Sequence, residues 1–392
     1  MAAEQQTVSK SLAVAQAPAG KPGATGRLMS LDVFRGLTIA SMMMVNNPGT
    51  WMAVYPSLRH ADWHGWTFTD TVFPFFLWIV GVAMTLSTAR RLERGDSRSS
   101  LFGHAVRRAL IIFGLGLFLT LYPYFHISTV RIPGVLQRIA ICYLIATVIY
   151  LTTGIRGQIV WTGGLLAAYW ILMRYVPVPG VGAGVLTKEG NFSHWVDSLF
   201  LSGHMYSSTK TWDPEGIVST LPAIATTMFG ILTGHILRLK KPDAEKMSWI
   251  FVMGSMLLFA GAFLNNYMPI NKSIWTTPYS LFMAGMAALT FGCCYWLVDI
   301  RGYRSWARPF AIYGMNAIAV YVLAGLFTKT LMNIKVSGAD GNPIRVYSWI
   351  FEKIFAPLAA PANASLAFAL CYSFLFFLVS WFMYRRNWFV RI

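Results

Sequence analysis

Ten stretches of this chain, near residues 31–53, 67–88, 104–124, 132–152, 158–176, 217–239, 248–268, 276–299, 307–328 and 364–384, are apolar for about 20 residues at a time. A helix rising 1.5 Å per residue covers roughly 30 Å over that length, the thickness of a bilayer's hydrocarbon. With 56% hydrophobic residues and only 12% charged ones among 392, the chain lacks the polar surface a water-soluble domain needs. The expectation is an all-α, polytopic integral membrane helical bundle of about ten transmembrane helices.

Lys and Arg orient that bundle. With the N-terminus on the cytoplasmic side, the inner segments hold twenty of them, including the cluster Arg90, Arg91, Arg94, Arg98, Arg107 and Arg108, while the longer outer segments hold ten. The positive-inside rule then puts both termini in the cytoplasm. Most of the net charge of +17 faces anionic headgroups in this arrangement, which argues against nucleic acid as a partner. Residues 1–26, rich in Ala, Gln, Gly, Pro and Lys, contain no apolar core of signal-peptide length and read as a disordered cytoplasmic tail. Residues 27–392 then form a single transmembrane domain with long outer loops at 177–216 and 329–363, the first a packed lid and the second bearing an interfacial helix. The four cysteines all fall inside apolar stretches without metal-ligand spacing, so no metal site is expected.

Between the first two stretches, Asn46, Asn47, His60, Asp62, His64 and Asp70 crowd a short loop. Ionisable groups beside hydrocarbon are costly unless partnered or used. An imidazole near pH 7 acts as a base or as an acyl-accepting nucleophile, and spacing alone does not choose between His60 and His64. Both rings could equally anchor the loop beside Trp63 and Trp66. Asn46 ends the first stretch ahead of Pro48-Gly49, either as a helix terminator or as a neutral group that orients an imidazole or supports an oxyanion. Asp70 either caps the second helix or holds an imidazole in one tautomer. Farther in, Asp32 and Arg35 share a helical face and form an ion pair by default, with Arg35 also able to meet phosphate. Gln137 and Arg138 lie roughly 10 Å inside the fourth stretch, where Arg138 needs Asp70, Glu215 or a ligand phosphate as partner. Asn316 falls near mid-membrane, a position for interhelical hydrogen bonding.

LDVFRGLTIA, VNNPG, RHADWHGWTFTDTVFPFF, RIPGVLQRIA, WDPEGIVSTLPAIATTMFG, NKSIWT and GMNAIAVYV follow one another in this order. The series resembles the heparan-α-glucosaminide N-acetyltransferases and their bacterial relatives from about residue 28 to 328, with a weaker match in the last span. The resemblance implies a membrane enzyme that passes the acetyl group of cytosolic acetyl-CoA to the amino group of a glucosamine-type sugar on the outer side. It puts the active-site histidine on His60 and the first-span asparagine on Asn46, and it gives His64 a lesser part, because lysosomal relatives carry Asn there. His60, Asn46 and Asp70 are then the expected catalytic residues. Arg35, Gln137, Arg138, Lys272 and Asn316 are expected to bind the donor, and His64, Asp213 and Glu215 the acceptor. The animal enzymes have a long lumenal N-terminal domain and a further leading span, so a small amino sugar is the expected acceptor here, in a bacterial inner membrane, and a homodimer is compatible with this. An amino-sugar permease and an O-acetyltransferase of envelope polysaccharide are the alternatives.

Overall fold

The computed structural model describes residues 28–209, 211–338 and 341–390, and the expected N-terminal tail lies outside them. The long helices are α1 (Met29–Asn46), α2 (Phe68–Glu93), α3 (Arg98–Leu121), α4 (Val135–Thr152) and α5 (Ile155–Tyr175), followed by the short α6 (Phe192–Phe200). They continue as α7 (Thr220–Leu237), α8 (Asp243–Leu264), α9 (Thr277–Tyr295), α10 (Ala307–Met315) and α11 (Ala317–Asn333). A small antiparallel hairpin, β1 (Lys335–Ser337) with β2 (Pro343–Arg345), leads into α12 (Val346–Ile350), and α13 (Pro361–Arg385) closes the chain. The protein is therefore an all-α polytopic bundle.

Seven described helices are long and apolar enough to cross a membrane, or eight if α10 and α11, bent by 77° at Asn316, count as one span. By length and composition alone the expected ten is not confirmed. α1 and α5 coincide with the first and fifth stretches, but Asp32, Arg35 and Asn46 interrupt one, and Arg156, Gln158 and Arg174 the other. The outer face of α8, with Trp249, Val252, Met256, Phe259 and Phe263 exposed, is the surface a spanning bundle turns to lipid.

Helices approach closely where glycines remove side chains, as membrane packing favours. A Cβ on Gly81 of α2 would sit 2.0 Å from the Thr227 carbonyl of α7, and one on Gly230 would sit 2.0 Å from the Trp78 carbonyl. Around that seam, Phe34, Trp78 and Phe291 meet at centroid separations of 5.3–6.2 Å and are fully buried. α2 runs unbroken through Pro74, so its first turn is a rigid post for the residues that precede it. The bend at Asn316 is held from the C-terminal segment: the Asn316 amide donates to the Trp388 carbonyl and accepts from the Val390 N–H, each at 3.0 Å.

Candidate active site

The loop before α2 is pinned by one carboxylate. Asp70, at the third position of the helix, accepts from the Thr67 N–H at 3.0 Å and the Thr67 hydroxyl at 3.1 Å, which closes a capping box. The same Oδ2 accepts from the Ala61 N–H at 3.0 Å, and Oδ1 lies 2.6 Å from His60 Nδ1. The two readings of Asp70, cap and imidazole holder, are both true at once. An ionised carboxylate only accepts, so His60 Nδ1 carries a proton, which in the neutral ring leaves the lone pair on Nε2. Asp70 is 1% exposed, whereas the His60 side chain is 47% exposed. From behind, the Tyr279 hydroxyl donates to the Asp70 carbonyl at 2.6 Å. A buried carboxylate gripping a reachable imidazole is a general-base arrangement.

His64, four residues on, is built differently. Its Nδ1 faces the Asn271 amide at 3.4 Å, burial lowers its pKa, and no carboxylate holds it. The loop carrying both histidines is not helical, so they do not share a helical face. Asn46 ends α1 exposed and without a side-chain hydrogen bond among the described residues. The neighbouring Asn47 is the buried one, bonded to the Met43 carbonyl at 3.0 Å and the Thr328 hydroxyl at 2.8 Å.

Beside the pair lies a floor of charge. Arg131 forks onto Asp213 at 2.7 and 2.6 Å and also meets Glu215. Burial pushes the Glu215 carboxyl up, but Arg131, Lys272 and Arg138 outweigh it and hold it below its ordinary value. Lys272 acts electrostatically on both Asp70 and Glu215, which ties the floor to the histidine pair. Arg138 is fully buried with no carboxylate in contact. It donates to the Gly216 carbonyl at 2.9 Å and to the Ser219 hydroxyl, and lies 5.3 Å from the Trp275 ring centre. Gln137, also buried, sits against Gly116 and Gly134.

Segment 177–216 folds over this floor. His194 of α6 stacks on Trp212 at 4.6 Å, Trp63 meets both rings edge-on, and the Trp63 N–H donates to the Leu186 carbonyl at 2.8 Å. The segment is anchored through the Gly216–Ile217 peptide, whose carbonyl is held by Arg138 and whose N–H is held by Asp197 Oδ1 at 2.8 Å. Only glycine fits there, since a Cβ would lie 2.0 Å from Asp197 Oδ2. Burial pushes the Asp197 carboxyl up to about 6. A raised carboxylate pKa means the folded state holds its proton more tightly than the unfolded chain, so this contribution is full below about pH 4 and is lost as the pH rises through 6. Asp197→Asn should therefore match the parent's stability near pH 4 and exceed it near pH 7 by up to about 3 kcal/mol. Melting curves of the two proteins across that range check this, and a pH-independent difference would contradict it.

A cavity of about 380 Å³ lies among α1, α2, α3, α4 and the bent α10–α11 pair. Arg35, Ser87, Arg108, Tyr143 and Val390 line one end, and Met42, Phe76, Val135, Leu136 and Tyr321 the other. Phe76 lies six residues beyond Asp70 on α2, about 9 Å at 1.5 Å per residue. Along the α2 axis the lining thus starts about 9 Å from Asp70 and runs on to Ser87, away from the start of the helix. Arg35 pairs with Asp32 at 3.3 Å and reaches the Gly314 carbonyl at 3.4 Å. Arg108 stacks 4.9 Å over the Tyr143 ring, with its Nε buried and unpartnered. Among the expected donor-binding residues, Arg35 alone lines this cavity. Arg138 and Lys272 stand with the charged floor, Gln137 packs against Gly116 of α3 and Gly134, and Asn316 marks the bend. Arg108 and Tyr321 escaped the sequence reading, because an arginine in a basic run and a tyrosine in an apolar helix look ordinary until the tertiary fold turns them to one space. No three His, Cys, Asp or Glu side chains converge as metal ligands among the described residues.

A family model described as heparan-alpha-glucosaminide N-acetyltransferase, catalytic, matches residues 27–264, a stretch that holds His60, Asp70 and the charged floor apart from Lys272. The heparan-alpha-glucosaminide N-acetyltransferase of Mus musculus is 28% identical over 361 residues, which cover 78% of this chain and 54% of that protein. Its Homo sapiens counterpart is 28% identical over 350 residues, covering 76% and 52%. The chain spans about half the length of these curated relatives. Tyr321, Asn316 and Val390 lie beyond the matched residues. The match covers more than half of the chain, and the chain belongs to the heparan-alpha-glucosaminide N-acetyltransferase catalytic family.

Proposed function

We propose that this protein transfers the acetyl group of acetyl-CoA to the amino group of a glucosamine-type sugar, with the donor in the cavity and the acceptor above His60. The observation that carries the reading is the Asp70-held His60 at the start of α2, the same helix that lines a cavity whose far end is basic. As the amine attacks the thioester carbonyl carbon, Nε2 takes the amine's proton and returns it to the departing CoA sulfur, while Asp70 stabilises the imidazolium that forms between these steps. Attack by Nε2 itself, with an acetyl-imidazole between donor and acceptor, uses the same geometry. Arg35 and Arg108 suit donor phosphates, and the apolar middle of the cavity suits the pantetheine arm. The excess of Lys and Arg on that side supports a cytoplasmic donor and an outer acceptor, with both termini inside, in a bacterial inner membrane. His64 and the lid aromatics Trp63 and Trp212 would face the acceptor. The ion pairs that engage Asp213 and Glu215 suit shaping the acceptor's floor more than direct sugar contact.

The bend at Asn316 favours a second reading, a permease for amino sugars, because broken helices recur in transporters. Purified protein incubated with acetyl-CoA and glucosamine decides. Release of CoA thiol together with N-acetylglucosamine in the mass spectrum is expected, and hydroxyl-only sugars should remain unmodified. Absence of thiol release would sink the transferase reading, and acetylation of hydroxyl-only sugars would move it to O-acetyl transfer.

A further inference from the structure

Acetyl transfer to an amine creates a negative oxygen as the thioester carbonyl becomes tetrahedral, and catalysis gains most from a donor already aimed at that oxygen. His60 cannot serve, since its Nδ1 proton is committed to Asp70 and its Nε2 handles the amine's proton. Arg35, Ser87, Arg108 and Tyr143 belong to the opposite end of the cavity. At the end nearer the histidine pair, Met42, Phe76, Val135 and Leu136 have no side-chain donor. Tyr321 does.

Most buried tyrosines here have engaged hydroxyls: Tyr279 on the Asp70 carbonyl, Tyr313 on that of Ser373, Tyr347 on that of Pro48, and Tyr372 on that of Ala324. Tyr321 lines the cavity, and its hydroxyl has no hydrogen-bond partner among the described residues. It stands five residues beyond the bend at Asn316, about one turn into α11, and packs against the cluster of Ala109, Ile112, Leu136 and Ala140 from α3 and α4. It also stands within electrostatic reach of Glu215 and Arg131. Glu215 in turn feels Lys272, as Asp70 does, so Tyr321 and the His60–Asp70 pair both lie within the field of the charged floor.

We infer that Tyr321 is a catalytic residue whose hydroxyl donates a hydrogen bond to the thioester carbonyl oxygen of the acetyl donor and holds it as that oxygen becomes negative. The inference rests on the acetyl-transfer reading. The amine nitrogen bonds to the carbonyl carbon and its proton passes to His60 Nε2. The carbon–oxygen π electrons move onto the oxygen held by Tyr321 and then return as the carbon–sulfur bond breaks, and CoA sulfur leaves with the electron pair and regains a proton from His60. Tyr321 keeps its own proton throughout.

Tyr321→Phe, which removes one oxygen atom, is the test. The turnover number should fall about 10²–10³-fold, as loss of one oxyanion donor does. The Michaelis constant for acetyl-CoA should stay within a few-fold of the parent, and the melting temperature should not change. A second measurement is independent of turnover. S-ethyl-CoA has a methylene where acetyl-CoA has its carbonyl, so the parent should bind acetyl-CoA about three- to ten-fold more tightly, and the variant should bind the two alike. Unchanged turnover in Tyr321→Phe, or an undiminished preference for the carbonyl compound, would overturn the assignment and leave the transferase reading standing. A parent protein that binds acetyl-CoA but transfers nothing would overturn the transferase reading, with the binding comparison still reporting on Tyr321.

Discussion

His60→Ala is expected to reduce acetyl transfer by about 10²–10⁴-fold, the range lost with a positioned acid–base group, and by more if the imidazole carries the acetyl group itself. Donor binding should survive, because His60 does not line the cavity and its side chain is nearly half exposed. Asp70 loses one bond but keeps those from Ala61 and Thr67, so the loop and the start of α2 should stay folded. The measurements are initial rates with acetyl-CoA and glucosamine, calorimetric acetyl-CoA affinity, and melting temperature on one preparation. Turnover at the parent's level would remove His60 from the mechanism. His64→Asn is the contrast: without a carboxylate partner, it should retain most activity.

The helical class could be read from apolar run lengths, because crossing hydrocarbon demands a helix whose span is visible in one dimension. The number of spans is less plainly legible. α1 and α5 are helices of adequate length, yet Asp32 with Arg35 in one and Arg156 with Arg174 in the other make composition an ambiguous witness, and the break at Asn316 depends on bonds to residues 388 and 390, far along the chain. At the candidate site, Asp70 was recoverable because its partners Ala61, Thr67 and His60 lie within ten residues of it. Arg138 was not resolved, because its partners are a backbone carbonyl and a serine 78 and 81 residues away, and backbone carbonyls carry no side-chain identity to search for. The same limit hid the cavity. Its lining comes from helices scattered between Arg35 and Val390, and only packing shows that Arg108 and Tyr321 share it.

Arg131→Ala is expected to be the most destabilising single change in the charged floor, at about 3–5 kcal/mol, the cost of breaking a buried pair from one side. The magnitude follows from what is left behind. Asp213 is fully buried and accepts two bonds from this guanidinium, and Glu215, nearly as buried, accepts a third contact from it. Both carboxylates would remain beside Asp197, another buried acid, with only Arg138 and Lys272 to offset them. The ring of Tyr206, over which Arg131 lies at 4.6 Å, would lose its contact too, loosening the segment above the site. A purely packing role predicts something different, namely that a second change at Asp213 adds to the damage. If charge is the cause, Asp213→Asn in the Arg131→Ala background should recover part of the lost melting temperature, because one uncompensated carboxylate has gone. Failure of that rescue, with the two losses simply adding, would show that the floor is held by shape and not by the ion cluster.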